Sequence, residues 1–211
     1  MDKVKKKWRK KQGTIMFPST HDITPENLPE CIQTIGNILE GGNHLLIVSK
    51  PHFRCIADIC QSFRQYKDQI LFRFTIGSMD STNCLSFWEP GAPSFEERLG
   101  SLTYAFNAGY RTSVSSEPFL DDKVIDLFFK VEPYVTDSVW IGPMNKMEQR
   151  VDRTGWDKGS MHYWDLVKGS QTRAEIEIIY GALKDEPHVR WKDAIKDMLG
   201  LEKPTEVGMD I

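Results

Sequence analysis

Apolar residues along this chain follow two rhythms, short contiguous runs and longer stretches in which they recur every three or four positions. Thr14-Ile15-Met16-Phe17 reads as a buried strand that stops at Pro18. Thr24-Pro25 reads as an N-cap followed by proline at the first helical position, and Leu28, Cys31, Ile32, Ile35 and Leu39 then repeat at helical spacing until Gly41-Gly42. His44 to Ser49 predicts a second strand, and Pro51 opens a helix with Ile56, Ile59, Cys60 and Phe63 on its apolar face. Ile70 to Ile76 predicts a third strand. After a turn-rich stretch, Ser94-Phe95-Glu96-Glu97 gives a capping box for a helix carrying Leu99, Leu102 and Phe106 and ending at Gly109. Arg111 to Glu117 predicts a fourth strand, Asp122 to about Tyr134 a helix with Val124, Leu127, Phe128 and Val131, and Ser138 to Ile141 a fifth strand.

Strands alternating with helices mean parallel crossovers, so the fold class expected is α/β with an incomplete parallel (β/α) barrel of about five units. After Gly142 the rhythm breaks. Residues 145–170 are polar and aromatic, with Trp156, His162, Tyr163 and Trp164, and read as a long, partly ordered connection. Two helices are predicted beyond it, at about 172–186 and 189–199, separated by Pro187, with a tail from Lys203. The domain reading is a partial barrel over 1–145 and a helical appendage over 146–211.

Composition narrows the class. The 211 residues carry 27 Lys+Arg against 30 Asp+Glu, a net charge of −3, which gives nucleic acid no general support. Seven of the first twelve residues that are Lys or Arg (Lys3, Lys5, Lys6, Lys7, Arg9, Lys10, Lys11) form a basic arm, read as a solvated end or a local nucleic-acid contact. Apolar runs such as Leu45-Leu46-Ile47-Val48 are far too short to span a bilayer, and the charged N-terminus lacks the apolar core of a secretory signal. Cys31, Cys55, Cys60 and Cys84 have no zinc-type or cluster-type spacing, so buried thiols and a cytoplasmic location are expected. A full eight-unit barrel takes about 250 residues, so any barrel here is partial.

In parallel sheets ligands bind where the carboxyl ends of the strands converge. Those ends read Ser19-Thr20-His21-Asp22, Ser49-Lys50, Thr75-Ile76-Gly77-Ser78, Ser115-Ser116-Glu117 and Gly142-Pro143-Met144-Asn145, polar in every case. This predicts a small-molecule site. Strand parity puts Phe72, Phe74 and Ile76 on one face and Arg73 and Thr75 on the other, toward the barrel interior. An inward guanidinium needs a partner, and Glu117 or Asp22 is expected, either as a structural ion pair or as part of an anion site. Lys50 reads as a solvated lysine, a carboxylate-binding point charge, or a Schiff-base nucleophile. His21 and Asp22 are adjacent and no second histidine ends a strand, so no metal site is expected.

Three segments carry a family resemblance: FRFTIG on the third strand, FWEPGAPSFEER at the next helix start, and NAGY before the fourth strand, with PSTHDIT and LIVSKPH upstream. Over residues 10–145 the chain resembles the radical S-adenosylmethionine proteins of the spore photoproduct lyase and "DNA repair photolyase" group. The resemblance implies a partial (β/α)₆ barrel holding S-adenosylmethionine against a [4Fe–4S] cluster. Carried over, His21 and Asp22 would lie near the adenosylmethionine, Lys50 would pair with its carboxylate, and Thr75 would hydrogen-bond the nucleoside or amino-acid part. Arg73, on the parity argument, and Ser115, Glu117 and Asn145, on the strand-end argument, complete the candidate set.

The chain departs from that family in having no C-x₃-C-x₂-C loop. The resemblance places that loop before Gly13, so a first strand and cluster loop are expected from a separate N-terminal polypeptide, or to have been lost. Without three thiolates there is no cluster to cleave the sulfonium. Three functions stay open: the carboxyl-terminal part of a radical-SAM lyase, inactive alone; a cluster-free module that binds a nucleoside cofactor; and an unrelated α/β enzyme using Lys50 as nucleophile or Glu117 as general base. Residues 14–18 are then an exposed, uncharged sheet edge through which two copies could pair.

Overall fold

The computed structural model describes residues 8–205, so Lys3, Lys5, Lys6 and Lys7 of the basic arm and the end of the tail lie outside the described residues. The elements run β1 (Thr14–Phe17), α1 (Leu28–Glu40), β2 (His44–Ser49), α2 (Phe53–Ser62), β3 (Ile70–Thr75), α3 (Ser86–Trp88), α4 (Phe95–Asn107), β4 (Arg111–Ser116), α5 (Val124–Val131) and β5 (Val139–Ile141). Then come α6 (Met147–Arg150), α7 (Lys158–Ser170), α8 (Arg173–Leu183), β6 (Val189–Trp191) and α9 (Asp193–Leu199). The six strands form one all-parallel sheet in chain order. No helix among the described residues is long and apolar enough to cross a membrane.

Three expectations are corrected. Residues 145–170 are not a loose connection but contain α6 and α7, because Asp157 caps α7 through Ser160 N and Trp164 and Val167 give it a buried stripe. The stretch expected to start a last helix at 189 is instead a strand, β6, paired with β5 in the register Val139↔Val189. And α1 begins at Leu28, not at Pro25. Asn27 is the cap residue, its side chain accepting from Thr24 N at 2.9 Å and donating to Asp22 O at 2.9 Å, which holds residues 25–27 in a turn.

Contacts divide the chain into two units. The first comprises residues up to Thr75, with Glu96–Val114 and Tyr134–Asp137. Its core includes the buried residues Leu45, Ile47, Phe72 and Phe74 of β2 and β3 and Ile35, Ile38, Ile56 and Ile59 of α1 and α2. Phe72 and Phe74 are fully buried, each contributing roughly 1.5–3 kcal/mol. Tyr110 closes this core, its ring 5.3 Å from Phe72 and its hydroxyl donating to Cys60 O at 2.7 Å. The parallel register Met16↔Leu46↔Leu71 and Val48↔Arg73 sets these residues on the opposite face. That face is less covered, with Met16 53% exposed.

The second unit comprises Ile76–Phe95, Ser115–Pro133 and the residues from Ser138 onward. Met147, Trp164 and Val167 form one of its cores, with Trp88, Met144, Val151, Trp156 and Met161 packed around them. Aromatic pairs extend this packing: Phe87 stacks on Tyr163 at 4.6 Å, and Trp156 meets Trp88 and Trp164 edge-on.

Candidate functional site

In the first unit the carboxyl ends of β1 and β2 converge on one charge pair. Asp22 Oδ1 accepts from Lys50 N at 2.8 Å and from the Ser49 hydroxyl at 3.3 Å, while Oδ2 faces Lys50 Nζ at 3.3 Å. Ser49 Oγ also accepts from Ile23 N at 3.0 Å, which pins the chain just after Asp22. The pair therefore has a fixed backbone on both sides. Its side chains retain 28% and 37% exposure for Lys50 and Asp22, so one flank of each charge reaches solvent. An ion pair this exposed adds about 1 kcal/mol of stability at most.

Lys50 follows Ser49 at the end of β2 and continues the parity of Leu46 and Val48, which puts it on the sheet face of Arg73 and Thr75. Arg73 Nε donates to Ser113 Oγ at 3.0 Å. Of the two carboxylates expected to partner it, Asp22 pairs with Lys50, and Glu117 pairs with Lys192 at 2.7 Å. Thr75 is half-buried at the end of β3, and its carbonyl accepts from Arg98 Nη1 at 3.1 Å. Arg98, wholly buried on α4, was not anticipated: the helical period alone gives no reason for an arginine to turn inward. His21 lies outside this network. Its ring packs edge-on to Phe17, 6.3 Å away, with the Thr20 hydroxyl 3.4 Å from Nδ1.

In the second unit the remaining strand ends are organised differently. Ser115 is buried, its carbonyl accepting from Ile76 N at 3.0 Å, and Ser116 O accepts from Gly142 N at 3.1 Å. Glu117 pairs with Lys192, whose ammonium also stands 4.9 Å from the centroid of the Trp140 ring. Lys192 follows β6, which explains why its role was hidden from the local pattern. Asn145 is exposed, and its loop is tied down by Gln171 instead, which accepts from Met144 N and donates to Phe119 O, both at 2.8 Å. Ser78, a strand-end residue outside the candidate set, donates to Asp121 Oδ2, and Lys123 N donates to Asp121 Oδ1 at 2.9 Å. Burial pushes the Asp121 carboxyl above its ordinary range, against the pull of these hydrogen bonds.

Four free thiols bear on whether a metal cluster fits. All are buried; Cys31 Sγ donates to Asn27 Oδ1 at 3.4 Å and Cys84 Sγ to Leu120 O at 3.1 Å. Desolvation pushes Cys31 up to about 11 and Cys60 and Cys84 up to about 12. A [4Fe–4S] cluster needs three grouped thiolates, and among the described residues no three His, Cys, Asp or Glu side chains are placed to hold a metal, so the cysteines present do not fit one. Comparison of the chain with family models, with curated proteins and with solved structures finds no match.

Proposed function

We propose that the first unit binds S-adenosylmethionine, or a nucleoside bearing the same amino-acid arm, at the Asp22–Lys50 pair, as a partial barrel of radical-SAM type. The observation that carries the reading is the pair itself. An α-amino acid presents a carboxylate and an ammonium side by side, and Lys50 and Asp22 present the complementary charges side by side, each with one flank in solvent. Lys50 is suited to the carboxylate as a point charge with three donors, and Asp22 to the ammonium as an acceptor. Thr75 and Arg73, on the same sheet face, supply a hydroxyl and a cation further along the ligand. The parallel strands in chain order and the resemblance of residues 10–145 agree with this assignment.

S-Adenosylmethionine supplies an activated sulfonium centre when bound. Reductive cleavage of that centre requires a cluster, and the cysteines of this chain do not fit one, so no cleavage step is assigned to it. The residues bind and orient the amino-acid arm: Lys50 by charge, Asp22 by charge and by anchoring Lys50, Ser49 by holding Ile23 N and with it the position of Asp22.

Isothermal titration calorimetry tests the reading, with S-adenosylmethionine, methionine and adenosine as separate titrants. Saturable binding of S-adenosylmethionine is expected, weakened roughly tenfold to a hundredfold by Lys50→Ala, the range for one hydrogen bond to a charged group. The absence of S-adenosylmethionine binding to wild type, or equal binding by wild type and Lys50→Ala, refutes it.

A further inference from the structure

The second unit contains a cleft of 540 Å³ that shares no residue with the Asp22–Lys50 pair. Its walls come from three stretches: the turn after β3 with Asp80 and Asn83, the segment Asp121–Lys123 before α5, and the α7 residues His162, Tyr163 and Leu166. The volume is that of a small organic ligand rather than of a bare ion. Among the described residues there is also no group of three His, Cys, Asp or Glu placed to hold a metal.

Its chemistry is uneven. Three carboxylates line the cleft (Asp80, Asp121, Asp122) against one ammonium, that of Lys123. The three are not equivalent. Asp80 is consumed by structure, accepting from Thr82 N, Asn83 N and Asn83 Nδ2. Asp122 sits exposed on the rim. Asp121 is the anomaly: only 7% of it is exposed, and its two partners, the Ser78 hydroxyl and Lys123 N, are both uncharged. Among the described residues no ion pair neutralises it. A buried carboxyl relieves its desolvation by holding a proton or by joining a cation, and the open side of Asp121 is this cleft, where a cation can reach it. Tyr163 adds an aromatic wall held rigid by its stack on Phe87. An aromatic face beside a carboxylate is the pairing that suits a flat or organic cation.

We propose that this cleft binds a small organic cation, with its amidinium or ammonium group on Asp121 and its apolar body against Tyr163 and Leu166. Ser78 is a positioning residue that holds the carboxylate in place. The charge balance of the lining, three carboxylates against one ammonium, selects for cations.

The test uses benzamidine as the probe and benzamide, its uncharged counterpart of the same shape, as the control, titrated calorimetrically into the full chain. Saturable binding of benzamidine and none of benzamide is expected. Asp121→Asn keeps both native contacts, since the amide oxygen accepts from Lys123 N and the amide nitrogen donates to Ser78 Oγ; it is expected to weaken benzamidine roughly tenfold to a hundredfold. Should that variant fail to fold, Asp122→Asn, on the exposed rim, is expected to weaken it roughly two- to fivefold, the size of one exposed charge. Equal binding of benzamidine and benzamide, no saturable binding of benzamidine, or unchanged affinity in the variants overturns the proposal. The outcome is independent of the S-adenosylmethionine titrations, because the two sets of residues have none in common.

Discussion

Replacing Gly77 by alanine probes how closely the chain packs where β3 ends. Gly77 O accepts from Leu120 N at 2.8 Å, so the segment after β4 runs directly against it. A Cβ built on Gly77 lies 2.6 Å from Pro118 O and 3.2 Å from both Cγ and Cδ1 of Leu120. Ordinary carbon–oxygen approach stops at about 3.3 Å, so the backbone must open by roughly 0.7 Å. Pro118 O is main chain and cannot rotate aside as a side chain would. Inserting one methyl group into packing this tight costs about 1–3 kcal/mol. For a chain of this size each kcal/mol moves the melting temperature by roughly 2–4 °C, so Gly77→Ala is expected to melt roughly 2–12 °C below wild type. Gly181 on α8 is the internal comparison: an added Cβ there meets nothing within 4 Å. Alanine at an open helical position stabilises by about 0.5–1 kcal/mol, a rise of roughly 1–4 °C. Thermal unfolding followed by circular dichroism, with urea midpoints at an unchanged slope, measures both. A Gly77→Ala protein that melts at or above wild type while Gly181→Ala rises refutes the close approach. Because Ser78 is the next residue, the same variant is also expected to weaken benzamidine binding.

The remaining predictions concern the thiols and the sheet edge. Cys60 and Cys84, pushed up to about 12 by burial, are expected not to react with a thiol reagent in the native protein near neutral pH and to react once urea unfolds it. Raised folded-state values mean that the unfolded chain releases these protons first. The stability is therefore intact below about pH 9 and lost progressively as the pH rises toward 12, which urea midpoints across that range measure. Fast labelling of native protein would contradict the burial. In the sheet, β1 is the first strand in the order, and its Met16 is 53% exposed. Met16→Lys, which places a charge on that strand without disturbing the core, is expected to abolish concentration-dependent self-association in sedimentation velocity. Identical sedimentation of wild type and variant at every concentration would rule out pairing through β1.

Much of the fold was legible because it rests on local periodicity. The run His44 to Ser49 coincides with β2, and the alternation in Ile70–Thr75 correctly separates Phe72 and Phe74 from Arg73 and Thr75. What escaped was short or stabilised from afar. Val189–Trp191 is three residues with an arginine at its centre, too brief for any period, and it is a strand because β5 offers it a register. In α7 the glycines at 159 and 169 hid a helix whose local signals were the Asp157 cap and the short stripe of Trp164 and Val167.

The candidate site divides along the same line. The sequence by itself determined which polar residues stand at the carboxyl ends of the strands, since the end of an apolar run marks the place and the period of two marks the face. Only the tertiary structure decided which of them meet. Asp22 reaches Lys50 across 28 positions, Ser78 reaches Asp121 across 43, and Arg73 donates to Ser113 across 40. The physical reason is that periodicity is a property of one element at a time. A charge pair needs two elements set in register and a loop of fixed conformation, here the turn that Asn27 holds and the tight passage past Gly77.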